Sequence, residues 1–359
     1  MEITMKKDEL VNEFSKKLKN LQLERKINIM EVCGTHTVQF FHTGVKDIFP
    51  GKLNLVDGPG CPVCVTTNDY LDRAVEIARK HKVTVCTFGD MMRVPSSYSS
   101  LQKEKAEGID VVIVYSPLDA LTIARDNPDR EVVFLSVGFE TTIPTEAITA
   151  KKAKDENIKN FSLLAGNKVT PPAVAALLES EEVNIDGFIL PGHVSAITGV
   201  KGWRFISETY KKASVIAGFS TKDLLMGTLV LINLIQKNET KILNEYAEVV
   251  TEQGNVKAQE IMDEVFEPCD ANWRGIGIIP GSGMKLRDTY ADFDAEKKFP
   301  VTLPPVVEPK GCRCGEVLRG IITPLECPLF GKTCTPRNPV GACMVSTEGS
   351  CAAYYKYSS

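Results

Sequence analysis

The sequence predicts an α/β protein: two α/β units with mainly parallel sheets, then a small loop-rich, Cys-rich domain. Three observations carry this. Short apolar, β-branched runs recur, each followed by a glycine-containing break and an amphipathic segment, the pattern of strands joined by crossover helices. After Pro300 the chain becomes rich in Pro, Gly and Cys, with little periodicity. The eleven cysteines are unevenly placed: Cys33, Cys61 and Cys64 come early, and six crowd the last 48 residues.

In chain order, strands are expected at Ile27–Val32, Leu53–Val56, Val83–Phe88, Val111–Tyr115, Val132–Val137, Ser162–Ala165, Gly187–Leu190, Val215–Ala217 and Ile276–Ile279. Runs of this length bounded by turn residues read as buried strands. After Cys64, Leu71, Val75 and Ala78 share one face of a helix, and Thr66 with Asp69 fits a capping box. DNPDR at 126–130 reads as a turn between two units, and 221–267 as mostly helical. The expected divisions are 1–125, 126–268 and 269–359. The stretch from Pro304 onward is too small and loop-rich to fold on its own core, so a bound metal centre is expected to stabilise it.

Composition narrows the partners. The 359 residues are 43% apolar and 25% charged, with a net charge of −4. Lys and Arg are spread along the chain, which leaves no footprint for a nucleic-acid backbone and no basic face for a membrane. The N-terminus is charged and helix-like, without the apolar core of a signal peptide. The longest apolar run, Leu224–Ile235, has twelve residues, against about 20 for a membrane span. A soluble, cytoplasmic chain is expected, and there cysteine clusters serve metals or redox chemistry rather than disulfide frameworks.

The unusual peptides follow expected strands: Cys33-Gly-Thr-His-Thr37, Asp57-Gly-Pro-Gly-Cys61-Pro-Val-Cys64, Gly138-Phe-Glu-Thr-Thr142 and Pro191-Gly-His-Val-Ser195. Ligands bind outside the carboxyl ends of strands in open α/β sheets, so one cleft between the two units is expected. A C-x-x-C just before a helix either carries a thiolate stabilised by the helix N-terminus or grips one soft metal. With Cys33 nearby, a metal-holding site with an open position, a dithiol redox pair and structural zinc all fit Cys61 and Cys64. His36 is a candidate donor or proton carrier for a ligand of these thiolates, or a turn histidine. His193 has the same two readings. Glu140, with Thr141 and Thr142, either binds a polar ligand, pairs with a basic side chain or caps a helix.

The second group runs Cys312-x-Cys314, twelve residues, Cys327, six, Cys334, eight, Cys343, seven, Cys351. Six cysteines exceed the four of one zinc or one cubane, and neither a compact ferredoxin run nor paired C-x-x-C knuckles are present. Four thiolates on a [4Fe–4S] cluster plus a thiol pair account for all six; zinc and inert thiols are the alternatives. No P-loop, dinucleotide fingerprint or nucleophile elbow occurs.

Together the peptides CGTHT (33–37), GPGCPVC (58–64), GFETT (138–142), PGHVSAITG (191–199), IPGSGMKLRDTYADFDA (279–295), CRCGEVLRG (312–320) and CPLFGKTCTPRNPVGACMVSTEGSCAAYY (327–355) resemble the HypD family of hydrogenase maturation proteins. The resemblance implies a scaffold on which the Fe(CN)2CO unit of [NiFe] hydrogenases is assembled. HypC is the implied partner, with HypE and HypF supplying cyanide. It makes Cys33, Cys61 and Cys64 the essential thiols at the iron, with His36 in the same motif. The tail also looks like the cluster environment of ferredoxin:thioredoxin reductase. That likeness makes Cys312, Cys327, Cys334 and Cys343 the cubane ligands and Cys314 with Cys351 a redox pair, or alternative ligands. A redox-competent assembly scaffold follows, its standing as an enzyme left open. The rivals are an iron–sulfur-dependent thiol–disulfide oxidoreductase acting on a protein and a zinc-stabilised binding module.

Overall fold

The computed structural model describes residues 7–180, 182 and 184–358. The chain opens with α1 (Lys7–Lys19), β1 (Ile27–Glu31), α2 (Gly34–His42), β2 (Leu53–Asp57), α3 (Pro62–Val65) and α4 (Asn68–His81). It continues through β3 (Thr84–Thr87), α5 (Leu101–Ala106), β4 (Val111–Ile113), α6 (Pro117–Asp126), β5 (Val132–Ser136), α7 (Ile143–Asp155), β6 (Phe161–Ala165) and α8 (Thr170–Glu179). Next come β7 (Gly187–Pro191), α9 (Gly192–Thr198), α10 (Arg204–Glu208), β8 (Ala213–Ala217), α11 (Thr221–Gln236), β9 (Ile242–Asn244) and α12 (Val256–Val265). The hairpin β10 (Phe266–Trp273) and β11 (Gly277–Leu286) leads to α13 (Ala295–Lys298), α14 (Cys314–Leu318) and α15 (Ser350–Tyr357).

Each expected apolar run lies on a strand; the first eight fall in two parallel sheets, and Ile276–Ile279 falls in an antiparallel hairpin. The first sheet has the order β2-β1-β7-β8-β9 and the second β4-β3-β5-β6. The chain therefore leaves the first sheet after β2, builds the whole second sheet, and returns. Position 125/126 falls inside the second sheet, between β4 and β5, and DNPDR joins α6 to β5 within one sheet. Strand order reverses between β1 and β7 in the first sheet and between β3 and β5 in the second. These reversals are where open parallel sheets bind ligands.

Three local expectations are corrected. Thr66 does not form a capping box with Asp69: the N-cap of α4 is Thr67, and the Thr66 hydroxyl donates to Pro62 O at 2.8 Å, closing α3. Of the mostly helical 221–267 stretch, Thr221–Gln236 and Val256–Val265 are helical as expected, but the middle segment is not, because Ile242–Asn244 adds an edge strand to β8 through Ser214↔Ile242 pairing. That tertiary edge overrides the local helical pattern. The β10–β11 hairpin extends well beyond Ile276–Ile279. In β10 only the end residues, Phe266 and Trp273, are buried, and the strand-poor residues Pro268, Asp270 and Asn272 hide the intervening strand.

The core runs through both sheets, with Trp203, Trp273, Phe134, Phe161 and Phe188 fully buried. Each buried indole N–H is satisfied by a serine, Trp203 by Ser195 Oγ at 2.9 Å and Trp273 by Ser282 Oγ at 2.8 Å. A buried indole without such a partner would carry an uncompensated donor. Ser195 of the Pro-Gly-His-Val-Ser peptide thus has a structural task.

Candidate functional site

β1 and β2 lie side by side, with Glu31 opposite Asp57, so their following loops must cross above the sheet edge. Glycines make the crossing possible. The Gly58 N–H donates to Glu31 O at 2.8 Å, and Gly34 N–H to Gly60 O at 3.0 Å. A Cβ at Gly60 would stand 2.3 Å from the Cys33 nitrogen, and one at Gly58 2.7 Å from Glu31 O. The Gly-Pro-Gly of the second motif is therefore what lets Cys61 approach Cys33.

Both of these cysteines cap helices. Cys33, in extended conformation, is the N-cap of α2. Cys61 is the N-cap of α3, its Sγ accepting from the Cys64 N–H at 3.2 Å. Cys61 and Cys64 form a disulfide. Burial, then the Glu31 carboxylate, pushes the Cys33 thiol up to about 12, while the His36 and Thr35 amides at the start of α2 pull the other way. Among the described residues no three His, Cys, Asp or Glu side chains are posed to close around one metal ion.

His36 is fully buried. Its Nε2 lies 3.0 Å from Gly218 O, and a carbonyl only accepts, so Nε2 carries the hydrogen. Nδ1 is then a bare acceptor, buried and without a hydrogen-bond partner. Desolvation pushes the imidazole down to about 4, which keeps it neutral at ordinary pH. The Phe219 ring stacks on His193 at 3.9 Å and leans on His36 at 4.8 Å. The peptides after β1, β2 and β7 thus gather at the switch point of the first sheet.

The fourth peptide does not join them. Glu140 accepts from both the Thr170 amide, at 2.7 Å, and the Thr170 hydroxyl, at 3.1 Å, and so caps α8. Burial pushes its carboxyl up to about 7. Phe139 stacks on Trp273, and the next residue's amide, Arg274 N–H, donates to Val65 O at the end of α3. GFETT thus braces the thiol site from the second sheet, through the hairpin.

Several residues escaped sequence reasoning. Glu31 accepts from the Cys33 amide at 2.8 Å and from the Thr37 hydroxyl. Burial, reinforced by Asp57, holds its carboxyl well above the usual range. Lys46 donates to Tyr354 Oη at 2.6 Å and lies 4.2 Å above the Phe41 and Tyr354 rings. Glu348 accepts from the Thr35 hydroxyl at 2.7 Å, an approach that the bare Gly34 allows, since a Cβ there would meet Glu348 Cβ at 2.6 Å. One signal was available: two neighbouring apolar runs each end in an acid, Glu31 and Asp57, facing each other where both strands stop.

In the tail, the free Cys314 thiol lies within hydrogen-bonding reach of those of Cys312, Cys343 and Cys351, and Cys343 within reach of Cys351. Cys334 is buried, its Sγ accepting from Val340 N–H at 3.4 Å, and it lies close enough to Cys351 to influence that thiol. Cys327 is half-buried and in the field of Arg313, outside this set. A Cβ at Gly341 would stand 2.5 Å from Cys314 Sγ and 2.7 Å from Cys312 Sγ, so glycine keeps the wall beside the sulfurs clear. The two cysteine groups meet: α3 packs against α14 and the Ala342–Met344 turn, and Glu348 lies between Cys343 and Cys351.

A cavity of about 770 Å³ lies elsewhere. Its Glu131 and Lys159 border the starts of β5 and β6, the amino edge of the second sheet, where no strand carboxyl end faces a ligand.

The HypD family model, described as "Hydrogenase formation hypA family", matches residues 8–358. The chain belongs to the HypD family. The hydrogenase maturation factor HypD of Escherichia coli (strain K12) is 45% identical over 337 residues, 93% of this chain and 90% of that protein. Those of Azotobacter vinelandii, 42% identical over 341 residues, and Rhodobacter capsulatus, 44% over 339, cover the same shares. The HypD match spans both cysteine groups. No helix among the described residues is long and apolar enough to cross a membrane.

Proposed function

We propose that this chain is a hydrogenase maturation factor acting as a redox-active scaffold. On it, with HypC as partner and HypE and HypF as cyanide suppliers, the Fe(CN)2CO unit is assembled and carried. The work is assigned to the cytoplasm, a compartment that keeps thiols available for metal. One observation carries the reading most: the helix holding Cys61 and Cys64 packs directly on the elements bearing Cys314 and Cys343, so both thiol groups share one core.

The iron unit, as cargo, needs soft ligands, and Cys33, Cys61 and Cys64 are the thiols at the switch point. Opening the Cys61–Cys64 bond takes two electrons and two protons and yields two thiols. The Cys64 amide already faces Cys61 Sγ and favours its thiolate. Cys33 loses its proton as it takes up metal, and His36, three residues on in the same motif, is held neutral by burial.

A [4Fe–4S] cluster in the tail is supported by the donor chemistry of its six cysteines and by the clearance at Gly341. Cys312, Cys327, Cys334 and Cys343 would hold it, with Cys314 and Cys351, free thiols within hydrogen-bonding reach of each other, as the thiol pair. Bound there, such a cluster supplies single electrons beside α3. Cys327→Ser decides the set, because full cluster retention would replace Cys327 by Cys314 or Cys351.

The test of the whole reading is anaerobic co-purification with HypC, followed by infrared spectroscopy. Cyanide and carbonyl bands are expected, and their loss in Cys33→Ala and Cys64→Ala. Unchanged bands in both variants would remove the thiol site as the iron scaffold. The disulfide favours one second reading, a thiol–disulfide oxidoreductase acting on a protein. That reading predicts about four irons per chain and no further low-spin iron.

A further inference from the structure

The carboxyl edge of the second sheet bears a cavity that the thiol chemistry does not use. It measures about 280 Å³ and lies between the end of β6, the start of α4 and the β10–β11 hairpin. Strand register builds its floor. Lys168 bridges Gly283 of β11, and Gly283 pairs with Cys269 of β10. Directly opposed residues of a ladder point to one face, so Lys168 and Cys269 flank a position with no side chain. A Cβ at Gly283 would stand 2.8 Å from Ala271 Cβ and 3.1 Å from Cys269 Sγ; glycine keeps this gap open.

Most charges around the cavity already have partners. Arg73 meets Glu296 at 3.0 Å, and Lys285 meets Glu267 at 3.0 Å. Asp270 accepts from the Gly281 amide, and Asp294 from the Glu296 amide, each at 3.0 Å. Lys168 and Asp69 differ. Lys168, 6% exposed, is the one buried lysine among the described residues, and its ammonium makes a single long bond, 3.4 Å to Gly166 O. An ammonium has three donors, and leaving buried donors empty is costly. Asp69, half-buried on the first turn of α4, attracts Lys168 across the cavity, yet the two form no ion pair among the described residues.

We propose that this cavity binds a small zwitterion of the α-amino-acid class, its carboxylate on Lys168 and its ammonium on Asp69. The volume lies just below the usual range of drug-sized pockets and has room for a molecule of this size. Charge-assisted bonds at both ends, in partly desolvated space, are about twice as strong as neutral ones. The site explains why the lysine is buried and why its row of the ladder carries glycine. Burial pushes the Lys168 amine down to about 8, with Asp69 and Cys269 pulling it back up. A bound carboxylate adds to that upward pull, so binding near that pH takes up a proton.

Calorimetric titration of the full chain with glycine, alanine, serine and cysteine tests this, with acetate and methylamine as the two half-ligands. Saturable one-to-one binding of at least one amino acid is expected, tighter than either half-ligand. Lys168→Met and Asp69→Asn should each weaken it roughly tenfold or more. Asp69→Asn, at a half-exposed position, carries the test if Lys168→Met fails to fold. No binding by any of the four amino acids, or unchanged binding in the folded variants, overturns the proposal. Acetate binding as tightly as the amino acids, with Asp69→Asn silent, overturns it in favour of a simple anion site.

Discussion

Around Cys33, Cys61 and Cys64 the backbone does the holding, whereas around Cys312 to Cys351 the sulfurs hold one another. The first group sits on strand ends, helix caps and two glycines whose close approaches leave no room for a side chain. The second lies in turns and two short helices, α14 and α15, with a thiol network at the centre. A site built on strands is organised before anything binds, and one built on turns depends on its ligand. The two should therefore fail in different ways.

The largest expected effect is in the tail. Cys343 is fully buried and lies within hydrogen-bonding reach of both Cys314 and Cys351. Cys343→Ser should lose most iron and sulfide after anaerobic purification and open the segment after Pro304 to protease. Cys33→Ser should keep its iron–sulfur content. If the tail of Cys343→Ser stayed protease-resistant, the contrast between a backbone-built and a ligand-built site would not hold.

Next comes a pH effect at the first site. Unfolded His36 takes a proton at about 6.5, while the folded chain delays this to about 4. Stability present above the unfolded value is thus lost as pH falls toward about 4, by up to about 3 kcal/mol. Glu140 and Glu146, raised by burial to about 7, act with the opposite sign, since the folded chain keeps protons there that the unfolded chain releases. Only a difference measurement isolates the histidine. His36→Gln, unfolded in urea at about pH 7 and about pH 4.5, should lose less stability on acidification than the wild-type chain. An equal loss would mean that His36 is protonated in the folded site.

Glycines separate the two regions more finely. Gly60→Ala puts a methyl group 2.3 Å from the Cys33 nitrogen and should cost about 1–3 kcal/mol. Gly331→Ala, with φ of +68° and open space around it, should cost about 1 kcal/mol through backbone strain alone. Urea midpoints measure both. Equal costs would erase the distinction between a site limited by packing and a region limited only by local conformation.

The first site was legible because its residues obey local rules: apolar runs ended by glycine-bearing peptides are strands with loops at their carboxyl ends, and the C-x-x-C was readable as standing before a helix, though the short α3 that Cys61 itself caps was not. What was not legible is non-local. Apart from the acids that close two neighbouring apolar runs, nothing in the sequence shows that Asp57 will face Glu31, that Phe219 will lie against His36 and His193, or that Glu348 will reach Thr35 from more than three hundred positions away. The hairpin was obscured by Pro268 and the polar residues of β10, and the interleaving of the two sheets by a chain that leaves the first sheet and returns to it. In the tail, spacing counted the thiols but did not show that Cys314 lies within reach of three others while Cys327 stays outside.

The smallest expected effect tests which peptides belong to the site at all. GFETT has the same strand-end placement as the other three motifs, yet Glu140 is occupied by both donors of Thr170. Glu140→Gln keeps an acceptor oxygen and the side-chain shape, so the cap of α8 should weaken by only about 1 kcal/mol. The thiol site should not register the change: the rate at which dithiothreitol opens the Cys61–Cys64 bond, read by mass spectrometry after alkylation, is expected to match the wild-type chain. A slower or faster opening with α8 intact would mean that the carboxylate acts through Phe139, Trp273 and Arg274 on Val65 and the end of α3. GFETT would then be part of the thiol machinery, and the boundary between the two sheets would no longer mark the edge of the functional site.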